Sequence, residues 1–170
     1  LISNKSDENS AEKHLLNTLE SSSDELRALS HRMMPRALGE LGVIAAIDDL
    51  LHKSLINTGI TYTFEHFGLS QRLKEATEIC LYRVCQELVN NLIKHSKASQ
   101  VSVQVYNTEH YLMMIVEDNG IGFQPTETNK GIGLLNITTR VKALEGSVSF
   151  EPGVEKGTLI TLKIPTNQYA

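Results

Sequence analysis

The sequence predicts an α+β sandwich: one mixed, mostly antiparallel sheet covered on one face by helices, with a further helical segment at the N-terminus. Three observations lead there. Residues 60–67, 101–105, 111–117, 147–150 and 158–164 read as strands. The second and third are joined through Asn107-Thr-Glu-His110, and the last two through a turn region holding Pro152 and Gly153, so hairpins dominate. Helical spacing fills most of the remaining stretches, and no internal repeat is present.

The elements follow in order. Residues 1–10 are polar and turn-like. In residues 11–33 the positions Leu15, Leu19, Ser22, Leu26, Leu29 and Met33 are spaced 4, 3, 4, 3, 4, the a/d seam of a dimerising or bundle helix. Pro35 ends or kinks it. Residues 38–57 form a second helical stretch with Leu41, Ile44, Leu51 and Leu55 among its apolar positions, stopped by Thr58-Gly59. Residues 60–67 alternate as a half-buried strand. Ser70 is placed to cap a long helix reaching about His95. Residues 124–130 are polar, contain Pro125 and read as a loop. Residues 134–145 form a helix stopped by Gly146.

A chain of 170 residues suits one well-packed domain with an appendage. Its net charge of −4 gives no support for a nucleic-acid or membrane-surface role. Cys80 and Cys85 face different directions on one helix and lack metal spacing, so they read as reduced core residues. No apolar run reaches the length of a membrane span, and the start does not read as a signal peptide. The chain begins at Leu1 rather than Met and is read as a fragment.

Two groups of residues carry chemistry. On the long helix, Glu87, Asn91, Lys94 and His95 fall within an arc of about 100° beside the apolar stripe of Leu81, Val84, Cys85, Leu88 and Leu92. A polar set at the edge of a buried face is placed to line a pocket. The neutral oxygen of Asn91 suits Mg²⁺, which takes hard oxygen ligands and keeps waters. Glu87 is positioned to orient or deprotonate a group near the metal, and Lys94 or His95 to meet phosphate oxygens. Asn90 is an alternative ligand, rotated by about 100° from Asn91. The second group is Asp118-Asn-Gly-Ile-Gly122 after a strand, then Gly131-Ile-Gly-Leu134 opening a helix, then Gly157-Thr158 opening the final strand. Here a carboxylate stands beside glycine turns that admit a ligand to the backbone, and a helix start offers N–H groups to phosphate.

In this order the motifs resemble the ATP-binding domain shared by sensor histidine kinases, type II topoisomerases, the Hsp90 chaperones and the MutL repair proteins, over residues 60–165. The resemblance implies a Bergerat-type α/β sandwich that binds ATP with Mg²⁺. It implies that Asp118 accepts the adenine amino group, supported by Thr158 through water, while Gly120 and Gly122 let the base approach the backbone. Asn91 would hold Mg²⁺, with Glu87 reaching it through water, and Gly131, Gly133 and Leu134 would anchor a lid formed by residues 124–130. The stretch from Glu25 through Ser30-His31 and Pro35 to Leu41-Gly42-Val43 resembles the second dimerisation helix and connector of one histidine-kinase branch. Lys94-His95 after the Asn and the short lid suit that branch.

The division this implies is residues 1–57 as a partial dimerisation segment with its connector and residues 58–170 as the catalytic ATP-binding domain. The implied reaction is transfer of the ATP γ-phosphate to a histidine, for relay to a response regulator aspartate. The implied partners are a response regulator with a helix-turn-helix output and, for the parent, a second copy forming a homodimer, with no nucleic acid. The implied location is cytoplasmic, as the cytoplasmic portion of a membrane-anchored sensor. Two departures stand out. The branch's Leu-His-Asp acceptor motif is absent, and His31 is followed by Arg32 rather than an acid. The usual small residue and Thr between Glu87 and Asn91 are here Leu88, Val89 and Asn90. The alternatives are an ATP-driven conformational ATPase and an anti-sigma-type serine kinase of the same superfamily.

Overall fold

The computed structural model describes residues 36–122, 132–153 and 157–165. The a/d seam, His31, the lid segment and Gly131 lie outside these residues. The described part opens with α1 (Arg36–Leu41) and α2 (Val43–Leu55), followed by β1 (Thr61–Phe67). Helix α3 (Glu75–Asn91) continues into a π-helical turn (Leu92–Ser96). Strands β2 (Gln100–Asn107) and β3 (Tyr111–Asp118), helix α4 (Ile132–Lys142), and strands β4 (Ser147–Pro152) and β5 (Thr158–Pro165) complete it.

The strands form one sheet in the order β1-β2-β3-β5-β4. β1 pairs with β2 in parallel, and every other pairing is antiparallel. This is the mixed, mostly antiparallel sheet that the sequence predicts. Strand periodicity explains its two faces. Val101, Val103 and Val105 on β2, Leu112 and Met114 on β3, and Leu162 and Ile164 on β5 are buried. The positions between them on β2 and β3 are half-exposed. Leu81, Val84, Cys85 and Leu88 of α3, Ile137 and Val141 of α4, and Ile47 and Leu51 of α2 complete the core.

Three local expectations change. The helical stretch over 38–57 is two helices, because Gly42 takes φ +88° between them. Leu41 then sits at the exposed end of α1, 69% accessible, rather than on the apolar face. The long helix starts at Glu75, preceded by Lys74, and Ser70 does not cap it. The bridging stretch is extended instead, which sinks Leu73 into the core and lets Arg72 reach Glu78. Arg72 donates from Nε and Nη2 to the two oxygens of Glu78 at 2.9 and 2.7 Å, and from Nη2 to the Leu38 carbonyl at 3.1 Å. Glu78 is buried, so this two-pronged pair satisfies a carboxylate removed from water while fastening α1 to α3. The described residues accordingly cluster as one compact unit that includes α1 and α2.

Both cysteines are free and buried. Burial pushes the Cys85 thiol up to about 12. Burial, opposed by the Arg140 guanidinium, pushes Cys80 up to about 11. Both therefore stay protonated and shielded at neutral pH. Ellman's reagent at pH 8 is expected to leave both thiols unmodified in the folded protein and to react with both on adding denaturant. Above the ordinary thiol value of 9.0 the unfolded chain releases protons that the folded chain retains. Stability is therefore expected to fall as pH rises from about 9 toward 11, and an urea midpoint unchanged over that window would contradict the burial of these thiols.

Candidate functional site

Helix α3, its π-helical extension, the ends of β3 and β5, and the start of α4 surround one cavity of about 580 Å³. Each wall follows from a local pattern. The stripe of α3 that buries Val84, Cys85 and Leu88 leaves Asn91 at the edge of the helix, facing the cavity. The helix then widens into the π turn, which places His95 and Ser96 on the lining. Lys97 ends it in the left-handed region at φ 52°. On β3 the pleat carries Val116 and, two residues on, Asp118 to the same cavity.

Asp118 pairs across the sheet with Val101 on β2 and Thr158 on β5. Its Oδ1 accepts the Gly120 N–H at 2.8 Å, which fixes the carboxylate against the following turn. Thr158 is buried and lines the cavity beside it. Gly122, Gly133 and Leu134 also line it. Leu88, Val89, Leu92, Val101, Val116, Phe150 and Ile160 complete an apolar lining. A flat apolar ring system with an exocyclic N–H donor fits such a chamber, with Asp118 as its acceptor.

The remaining sequence-predicted residues lie around this space. Gly120 is buried behind it, and a side chain there would overlap the Ser96 carbonyl. Glu87 is half-buried outside the lining, its carboxylate against Gly133 in the first turn of α4. Lys94 is exposed and is not part of the lining. Asn90 is exposed as well, whereas Asn91 lines the cavity. Ser96, Phe150, Val116 and Ile160 also line the cavity without a motif to mark them, although the strand period sets Val116 and Ile160 two residues from Asp118 and Thr158. Among the described residues no cluster of three or more His, Cys, Asp or Glu side chains is gathered to hold a metal. No helix among them is long and apolar enough to cross a membrane.

Residues 76–168 match the family described as histidine kinase-, DNA gyrase B- and HSP90-like ATPases. The chain belongs to this ATPase family. Among similar proteins, the signal transduction histidine-protein kinase/phosphatase DegS of Brevibacillus brevis is 33% identical over 90% of this chain and 40% of its own length. The histidine-protein kinase/phosphatase UhpB of Salmonella typhimurium is 34% identical over 84% of this chain and 28% of its own. The chain thus spans less than half the length of these ATPase-family relatives. The solved histidine kinase AdeS of Acinetobacter baumannii shares the fold, with a TM-score of 0.61 at 20% identity over 92% of this chain and 84% of that one. The mixed five-stranded sheet with its helices is thereby the fold of an ATPase-family domain, as the sequence led one to expect.

Proposed function

We propose that this chain is the catalytic, ATP-binding portion of a two-component sensor histidine kinase. The observation that carries the reading is a cavity lined by Asn91, Asp118 and Thr158 together, with a largely apolar lining around them. The names of the relatives, all histidine kinases, support the kinase over the conformational-ATPase and serine-kinase alternatives.

On this reading Asp118 accepts the adenine amino group and Thr158 steadies that contact. Gly122 admits the base to the backbone, and Gly120 closes the turn behind it. Bound Mg-ATP supplies the phosphoryl group and the cation that offsets its charge. The amide oxygen of Asn91 is a hard, neutral donor, which suits a cation that keeps most of its waters. Glu87 orients that shell or the incoming imidazole. Lys94 and His95, on the π turn, approach the phosphates, and Gly131, Gly133 and Leu134 anchor the lid. The protein's part is then positioning and charge neutralisation.

The receiving nitrogen belongs to a Leu-His-Asp histidine outside these 170 residues. Residues 1–57 serve as dimerisation segment and connector, and residues 58–170 as the catalytic domain. The parent works as a membrane-anchored homodimer of which this chain is cytoplasmic, and passes the phosphoryl group to a response regulator with a helix-turn-helix output. Incubating the chain with γ-labelled Mg-ATP and a supplied helical protein bearing the Leu-His-Asp motif tests this. Acid-labile, base-stable label is expected on the supplied protein and very little on the chain. Label accumulating on the chain alone would point to His31 as acceptor and overturn the assignment.

A further inference from the structure

The two ends of the cavity lie on different elements, Asn91 on α3 and Asp118 on β3. What joins them is the segment from Ser96 to Gln100, and one side chain outside the cavity holds most of it. Asn119 Oδ1 accepts both the Ser99 and the Gln100 N–H at 2.9 Å, and its Nδ2 donates to Ser99 Oγ at 3.0 Å. The Asn119 backbone N–H adds a bond to the Gln100 carbonyl at 3.3 Å. Two residues on, the Ile121 N–H donates to the Ser96 carbonyl at 2.8 Å. Ser96 is itself fixed, its hydroxyl donating to the Leu92 carbonyl at 2.8 Å and accepting the Ala98 N–H at 3.0 Å.

We infer that Asn119 is a positioning residue for the nucleotide site: it latches the turn after Asp118 to the end of the helix that carries Asn91. The inference rests on the ATP reading of the cavity. The β2–β3 ladder ends at the Val101–Asp118 pair. Beyond it one backbone bond, from the Asn119 N–H to the Gln100 carbonyl, carries on, and the Asn119 side chain adds to it by standing in for one more residue of strand. Without it, the Asp118 turn and the π turn share only the Ile121–Ser96 and Asn119–Gln100 backbone bonds. Asn119 is exposed and is not among the lining residues, so it acts on the site only through the segment it holds.

The test uses the 170-residue chain, well below its melting temperature, with Mg-ATP titrated calorimetrically into wild type, Asn119→Ala, Asn119→Asp and Asp118→Asn. The three side-chain bonds order the segment before nucleotide binds; once they are lost, binding must re-order it, and Asn119→Ala is expected to weaken Mg-ATP by about tenfold, an ordering cost of about 1.4 kcal/mol. Asn119→Asp keeps an acceptor for both N–H groups and is expected to restore affinity to within about threefold of wild type. Without nucleotide, amide exchange at Ser99 and Gln100 is expected to quicken in Asn119→Ala alone. A merely structural role would move melting temperature without this pattern of loss and rescue. Unchanged affinity in Asn119→Ala beside a clear loss in Asp118→Asn overturns the latch and leaves the ATP site standing. Unchanged affinity in both overturns the ATP site and the latch with it.

Discussion

Asp118→Asn is expected to lower Mg-ATP affinity by at least about thirtyfold while leaving the melting temperature nearly unchanged. A hydrogen bond to a charged group is worth about 1.5–3 kcal/mol, and here the substitution also turns an acceptor into a donor. The split between binding and stability has a local cause. Asn119's neighbour Gly120 needs only the Oδ1 of residue 118, which asparagine retains, so the turn survives. On the proposed adenine contact, the second position of the side chain becomes an NH₂ group facing the exocyclic amino group, donor against donor. Calorimetric titration together with a thermal melt checks both halves. Affinity preserved in Asp118→Asn would remove adenine from this end of the cavity.

Gly157→Ala is expected to be the most destabilising single methyl group in the described chain. Gly157 holds φ +89°, and a Cβ there would overlap the carbonyl oxygen of Asp118. The backbone conformation alone costs an L-residue about 1–2 kcal/mol. The obstructing atom is backbone, and it belongs to the β3 end of the Asp118–Thr158 pair, so relief requires that pair to open. A loss of about 3 kcal/mol or more corresponds to a fall in melting temperature of about 10 °C. Gly39→Ala is the matching control. It lies within α1, a Cβ there meets nothing within 4 Å, and alanine gains helix propensity. Equal melting temperatures for the two variants would show that the β3–β5 end tolerates what the geometry forbids.

Local chemistry explains which parts of this molecule were readable in its sequence. Alternation at Val101, Val103 and Val105 reveals a strand with one buried face because the pleat itself has period two. The edge position of Asn91 follows from helical spacing, and Asp118 announces itself by the glycines after it. What escaped depends on contacts between distant residues. Nothing near Ser70 reveals that Leu73 sinks into the core and Arg72 reaches Glu78, so a good capping residue goes unused. The widening of the helix at Leu92–Ser96 has no signature in spacing, yet it decides that His95 lines the cavity and Lys94 does not. The contact between Glu87 and Gly133 joins two separate motifs that sequence order could only set in series. The apolar lining mixes Val89, Val116, Phe150 and Ile160 from four elements, and only the folded sheet assembles it.

The parallel pairing of β1 with β2 bears on how the chain reaches this state. Parallel neighbours need a crossover, and α3 is that crossover. Glu65 and Gln104, hydrogen-bonded across the pair, are 39 residues apart in the chain. The hairpins β2–β3 and β4–β5 close over short loops, so they form with little loss of chain entropy. The helix bearing Asn91 is seated only when the long loop through it closes, a slow class of event during folding. The β3–β5 pairing that sets Asp118 beside Thr158 is equally distant in sequence, so a chain holding only its native hairpins is expected not to bind nucleotide.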